Sequence, residues 1–399
     1  MRLPMFFKIC NWLSTIVQKI RICLSPTVKR DRQAFNIHTE DTVVQKIQVS
    51  DISLKYTLAR KNNTIYLSTA CPLFIWKGIG NNSKYFMPRI PSLKNNYSRE
   101  FRLNNACSCG YKLIFSTNSS FIDINILLKK IIISRNMSLQ ALAGIDVYEI
   151  TEEDHKWLGC YAPNNFYDLS IRCHIHNSDK KIHTYLIFLP IFSQTACVKV
   201  GLEKSSYIYN ISSNINLEAP IAIYGSSITQ GCACSRPALS YANQLSLSLK
   251  QDVLNFGFSG SARGESEIAA NIASQKISAI VMEYDHNVDL GGLEKTHYNF
   301  YSILRKNKLN VPIILLSRCS GGFSVSAEEE EKRFKIISST YHTAIANGDH
   351  NIYLLRGDNL FDNKEKCLVD DRHPNDYGIK ILSQTLTNTL HTIGDFNGL

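Results

Sequence analysis

The sequence predicts an α/β protein: a doubly wound parallel sheet in the second half of the chain, preceded by a mostly antiparallel β-sandwich. Three observations carry this. From about Val43 to Ile211, short apolar or alternating runs rich in Ile, Tyr, Val and Thr are separated by polar turns, as in antiparallel sheets. After Pro220, strand-like and helix-like segments alternate regularly, and parallel strands require such crossover helices. The length of 399 residues exceeds the usual size of one domain, so two domains of roughly 150 to 200 residues each are expected.

The first thirty residues combine the apolar stretches Met1 to Ile9 and Asn11 to Val17 with Arg2, Lys8, Lys19 and Arg21. These charges interrupt a membrane-spanning core and spoil a signal-peptide pattern. Residues 1–40 therefore read as an extension, able to lie as an amphipathic helix on a membrane surface or on the protein body. Residues 41–215 form the β-sandwich, with strands expected at Thr64 to Ser68, Tyr111 to Ser116, Ile145 to Ile150, His183 to Leu189 and Cys197 to Leu202. Few helices are expected there, and the Asn pairs 62–63, 81–82 and 95–96 mark loops.

The domain boundary falls between Ile211 and Pro220, and residues 216–399 form the second domain. Its strands are expected at Ile221 to Tyr224, Asp252 to Phe258, Ala279 to Tyr284, Pro312 to Ser317 and Asn351 to Arg356. Its helices are expected at Ser240 to Lys250, Glu265 to Gln275, Leu293 to Asn307, Ala327 to Asn347 and Asn375 to about Leu390. In such a sheet, ligands bind at the carboxyl ends of the strands.

Composition narrows the function classes. With 44% hydrophobic and 20% charged residues the chain is ordinary globular protein. The net charge is +10, yet the longest run of one sign is the acidic Glu328 to Glu331. No basic stripe interleaved with aromatics is present, which argues against a nucleic-acid partner. Twelve cysteines are too dilute for a disulfide scaffold, so the thiols read as reduced, which favours a cytoplasmic compartment. The Cys107/Cys109 and Cys232/Cys234 pairs lack a second pair at zinc-finger spacing. Cys173, His174 and His176 fit ordinary strand positions better than a metal site. No metal or other cofactor is implied, and nothing specifies an oligomer.

Four segments carry candidate chemistry. The first strand of the second domain runs into Gly225-Ser226-Ser227-Ile228-Thr229-Gln230-Gly231. A serine there stands beside exposed backbone N–H groups that can stabilise negative charge; alone, the motif reads equally as a loop or a helix cap. The second strand ends in Asn255-Phe256-Gly257-Phe258-Ser259-Gly260, where Gly260 can offer an N–H to an oxyanion or serve only a tight turn. Ser259 is a rival nucleophile without specific support. The third closes on Glu283-Tyr284-Asp285-His286-Asn287, whose Asn amide can donate to an oxyanion; His286 is a rival base. Before the last helix stands Asp370-Asp371-Arg372-His373-Pro374-Asn375. A carboxylate three residues ahead of a histidine can fix its tautomer while the other ring nitrogen deprotonates a serine. The alternative is a solvent-facing histidine beside a capping residue.

Together, in this order, the segments resemble the conserved blocks of the SGNH/GDSL hydrolase superfamily, most closely GDSL-like lipase/esterase proteins with a separate N-terminal β-domain. Ser235-Arg236-Pro237, Tyr241, Val369 and Asp376 extend the likeness, and Gly144-Ile145-Asp146-Val147-Tyr148 resembles the Gly-x-Asp-Leu-Tyr signature of that β-domain. The resemblance implies a flavodoxin-like catalytic domain, with Ser227 as nucleophile and His373 as base oriented by Asp370. It also implies an oxyanion hole from the N–H groups of Ser227 and Gly260 and the amide of Asn287. The implied reaction is hydrolysis of a carboxylic ester through an acyl-enzyme, with a short acyl group such as acetyl on a carbohydrate or other small hydroxylated substrate. Acyl transfer by the same triad and an inactive carbohydrate-binding or scaffold protein are the alternatives. Two departures stand out: Ser226 where the wider superfamily has Asp, and Asp371 at a place often filled by Gly, where it could compete for the histidine. Loops of the β-domain are expected near Ser227, because clefts between domains commonly hold ligands.

Overall fold

The computed structural model describes residues 45–80, 88–91, 93, 97–151, 154–211, 218–319 and 325–394. The expected N-terminal extension and most of the expected domain boundary lie outside these residues.

The N-terminal unit is β-rich. Its strands are β1 (Lys46–Gln48), β2 (Thr57–Lys61), β3 (Thr64–Ser68), β4 (Ile75–Lys77), β5 (Lys112–Thr117), β6 (Phe121–Ile131), β7 (Ile145–Ile150), β8 (His155–Tyr161), β9 (Ser170–His176), β10 (His183–Phe188), β11 (Ser193–Glu203) and β12 (Tyr207–Tyr209). They form two antiparallel sheets. One has the order β1-β12-β5-β10-β7-β8 with β4 on the flank of β5; the other has the order β2-β3-β11-β6-β9. Alternation dictates which side faces in: Ile122, Ile124, Ile126 and Leu128 of β6 are buried, with more accessible residues between them. They join Val198, Val200 and Leu202 of β11 and, from the other sheet, Leu113, Phe115, Val147 and Ile187 in one hydrophobic cluster. Burying each such side chain contributes about 1.5–3 kcal/mol.

The expected strands at Thr64 to Ser68 and Ile145 to Ile150 have those limits. The expected Cys197 to Leu202 is the middle of a longer strand, β11, whose pairing with β6 is irregular between Gln194 and Cys197. Cys173 points into the core while His174 and His176 lie on the opposite face with their rings in contact, so the three share no site. Every cysteine among the described residues is a free thiol.

The second half forms a parallel sheet of β13 (Ile221–Gly225), β14 (Val253–Gly257), β15 (Ala279–Glu283), β16 (Ile313–Leu316) and β17 (Ile352–Leu355), in the order β14-β13-β15-β16-β17. The first four of these are buried along their whole length. Helices on both faces do this to parallel strands, and the largely apolar runs are the sequence correlate. The helices are Tyr241–Ser248, Ser266–Ser274, Leu290–Asn307, Ala327–Ala346 and Asp376–Ile393, within a few residues of expectation. Their starts follow from capping chemistry: Ser326 accepts from the Glu329 N–H with Glu328 to Glu330 in the first turn, and Asn375 accepts from the N–H groups of Tyr377 and Gly378. No helix among the described residues is long and apolar enough to cross a membrane.

Buried polar contacts join the two units. Lys112 pairs with Asp252 at 2.9 Å. Arg89 donates to the carbonyls of Asn255, Asn104 and Gly257 at 2.7–2.8 Å. Asp146, fully buried in the Gly-Ile-Asp-Val-Tyr segment, accepts from Arg236 at 2.8 Å, the Trp157 indole at 2.9 Å and the Ala238 N–H at 2.7 Å. Three donors on one carboxylate satisfy a charge that would otherwise be costly to bury. That is what Asp146 does in this chain.

Candidate active site

β13 and β14 end level with each other, Gly225 opposite Gly257, and the chain after β13 turns at once into the helical turn Ser227–Gln230. Only glycine fits at 225, where a Cβ would stand 2.0 Å from Thr229 Oγ1 and 2.6 Å from the Glu283 carbonyl oxygen. Ser226 caps the turn, its hydroxyl accepting from the Ile228 N–H. As the first residue of the turn, Ser227 has an N–H without an intrahelical acceptor.

The Ser227 hydroxyl lies 2.9 Å from His373 Nε2. On the other side of the ring, Nδ1 is 2.8 Å from Asp370 Oδ2. The local fold makes this pairing: Val369 N–H donates to the His373 carbonyl, closing a tight loop in which Asp370 Oδ1 accepts from the N–H groups of Arg372 and His373 at 2.9 and 2.8 Å. Partial burial pushes the Asp370 carboxyl up, but the backbone donors of His373 and Arg372, with the imidazole, outweigh it and bring it down to about 2. Asp371 pairs instead with Arg372. The rival base His286 lies 3.9 Å from Glu283 Oε1, with its Nε2 buried and unbonded. Burial, with the nearby Arg318, holds its imidazole well below the ordinary range.

Gly260 and Asn287 sit on the loops after β14 and β15, at the same sheet edge as Ser227. Gly260 has φ 64°, in the left-handed region that favours glycine, and its α-carbon faces open space. The Asn287 amide donates to the Phe258 carbonyl at 3.1 Å, tying one loop to the other. Ser259 is held through its backbone: its N–H donates to Gln230 and its carbonyl accepts from Asn104.

Two features of the site carry no signature in the sequence. Glu283 stands there as one of several polar groups at a strand edge, but it is buried beneath the Ser227–Gln230 turn, accepting from Ser226 Oγ at 3.0 Å and Thr229 Oγ1 at 2.7 Å. Burial pushes its carboxyl up to about 7, the Thr229 and Ser226 hydrogen bonds opposing and Asp285 adding to the rise. The unfolded carboxyl, near 4.5, loses its proton first as pH rises. Glu283 therefore lowers stability progressively between about pH 4.5 and 7, by roughly 3 kcal/mol. Urea unfolding of Glu283→Gln at pH 5 and pH 8 is expected to show the variant gaining on the parent by that order at the higher pH; parallel behaviour would refute it. The second feature is Asn136, from the loop after β6, whose amide lies 3.0 Å from Asp370 Oδ2.

These side chains fall within segments matched by two family models. Residues 218–391 match the model of the GDSL-like Lipase/Acylhydrolase family, and residues 74–208 match that of the N-terminus of SGNH-hydrolase-type esterases. The second half of the chain is thus matched to GDSL-like lipases and acylhydrolases. The match supports, at the level of class, a hydrolase acting on esters. Among solved structures, this GDSL-like chain is similar to a GDSL-like lipase from Bacteroides ovatus at 22% identity, covering 83% of this chain and 98% of that one with a TM-score of 0.74. It is also similar to a salicylyl-acyltransferase from a tetracycline biosynthetic pathway, at 16% identity, 84% and 99% coverage and TM-score 0.68. A family two carbohydrate esterase from Clostridium thermocellum in complex with cellohexaose shares the fold at 12% identity, 72% and 93% coverage and TM-score 0.53. Comparison with curated protein sequences finds no match.

Proposed function

We propose that the chain is a serine esterase with a Ser227–His373–Asp370 triad, acting on a short-chain, acetyl-type ester of a carbohydrate or other small hydroxylated compound. The hydrogen-bonded series from Ser227 Oγ through the His373 ring to Asp370, at 2.9 and 2.8 Å, carries this reading. His373 Nε2 takes the hydroxyl proton as Ser227 Oγ bonds to the ester carbonyl carbon. The tetrahedral oxyanion is met by the N–H groups of Ser227 and Gly260 and by the Asn287 amide. As the carbon–oxygen bond to the leaving alcohol breaks, the imidazolium returns the proton to it, and water then releases the acid from the acyl-enzyme in the same two steps.

The domain assignment belongs to this proposal: an extension at 1–40, a β-sandwich accessory domain at 41–215 and a flavodoxin-like catalytic domain at 216–399. The two antiparallel sheets formed before Ile211 and the parallel order β14-β13-β15-β16-β17 formed after Pro220 support it. A carbohydrate ester is favoured by the fold likeness to an esterase crystallised with cellohexaose. Acyl transfer to an alcohol acceptor is the second reading, favoured by the likeness to a salicylyl-acyltransferase.

The test is a panel of aryl esters of increasing acyl length, run with Ser227→Ala and a serine-reactive phosphonate. Labelling at Ser227 alone, with turnover steepest for acetyl and lost in the variant, is expected. Labelling at another serine with the variant still active would defeat the assignment. A dominant ester-exchange product on addition of acceptor alcohols would replace hydrolysis by acyl transfer.

A further inference from the structure

We infer that Asn136, a residue of the N-terminal β-rich unit, is a positioning residue that holds the Asp370–His373 pair in register with Ser227. The inference rests on the triad proposed above and assigns part of its geometry to the other unit of the chain. Asn136 Nδ2 lies 3.0 Å from Asp370 Oδ2, the same oxygen that faces His373 Nδ1. An ionised carboxylate only accepts, so the side of the amide facing it must be the NH2. Nδ2 is also 3.4 Å from His373 Nδ1, but an Nδ1 that gives its proton to Asp370 cannot accept, so this is proximity and not a second bond.

The other end of the amide is fixed independently. Asn136 Oδ1 accepts from Ser134 Oγ at 2.7 Å and from the Cys232 thiol at 3.5 Å. The Cys232 N–H in turn donates to the Ser227 carbonyl at 2.8 Å. The contacts close a ring: Ser227 to His373, to Asp370, to Asn136, to Cys232 and back to the backbone of Ser227. Four of these members come from the second half of the chain and one from the first. Among the described residues Asp370 is otherwise held only by its own loop, and its side chain is about a third exposed (36%). A second anchor restricts the carboxylate to the rotamer that meets the ring, while water alone would leave it free to turn.

The inference makes the N-terminal unit part of the catalytic apparatus, and a double-mutant cycle tests it. Asn136→Ala is expected to lower kcat on an aryl acetate about tenfold or more, the value of a hydrogen bond to a charged group, with KM nearly unchanged. In an Asp370→Ala background the same change is expected to cost less than about twofold, because the group through which it acts is gone. Asn136→Asp provides an isosteric second variant: it keeps the acceptor for Ser134 and Cys232 but faces Asp370 with a carboxylate. At pH 8 its kcat is expected to fall at least as far, with the melting temperature close to that of the parent. Full kcat in Asn136→Asp would overturn the inference. So would an Asn136→Ala loss equally large with and without Asp370, which would mark a general structural role and leave the triad standing. Full activity of Asp370→Ala would overturn the triad reading as well, which separates the two failures.

Discussion

A His373→Ala enzyme is expected to hydrolyse an aryl acetate about a millionfold more slowly than the parent, with the loss in kcat rather than KM. In the proposed triad Ser227, at 2.9 Å from His373 Nε2, would have its base in place before substrate arrives. Without it the hydroxyl remains protonated at neutral pH and is a poor nucleophile. In the proposed triad serine and histidine act as a unit, so Ser227→Ala with His373→Ala is expected to be no slower than either alone. The rate left over, about a thousand- to ten-thousandfold above water, would come from binding and the oxyanion donors. Steady-state rates of the two single variants and the double variant decide this. A His373→Ala loss of less than tenfold, or a larger loss in His286→Ala, would move the base to the neighbouring histidine. The buried position of His286 against Glu283 argues for His373 as the base.

What was legible in the sequence was what local chemistry determines. The five parallel strands are largely apolar runs, most of them closed by glycine or polar residues, so their order along the chain and their carboxyl ends could be read directly. The Asp370 to His373 loop is equally local: two backbone N–H groups two and three residues away bind the carboxylate. Contacts set by tertiary packing were out of reach. Asn136 sits in a turn-like stretch with no signature of its own, and its partner is 234 residues away. Arg89, which holds the carbonyls of Asn255 and Gly257, is another cation in a chain of scattered cations. Glu283 looks like any strand-end carboxylate, because sequence does not reveal whether such a group faces water or is capped from above by the hydroxyls of Ser226 and Thr229. In each case the residue type was visible and its burial was not, and burial decides whether a polar group is a solvated edge or a structural partner of the site.

Asp370→Asn is expected to reduce kcat about ten-thousandfold while leaving the fold intact. The argument turns on which ring nitrogen carries the proton. The Asp370 carboxylate accepts at 2.8 Å from Nδ1, so the neutral ring keeps its proton there and leaves a lone pair on Nε2 for the Ser227 hydroxyl. In the variant, an amide nitrogen facing the ring would donate to Nδ1, shift the proton to Nε2 and put two donors face to face across the bond to Ser227. The loss would then come from a wrong tautomer. With its carboxyl held down at about 2, Asp370 is ionised across the working pH range, so no titration of this carboxyl in the parent would reproduce the effect. Asp371 supplies the control. It pairs with Arg372, and Asp371→Asn is expected to stay within a few-fold of the parent. If Asp371→Asn showed the large loss and Asp370→Asn did not, the carboxylate that orients the histidine would be the second of the pair, and Asn136 would be holding a bystander.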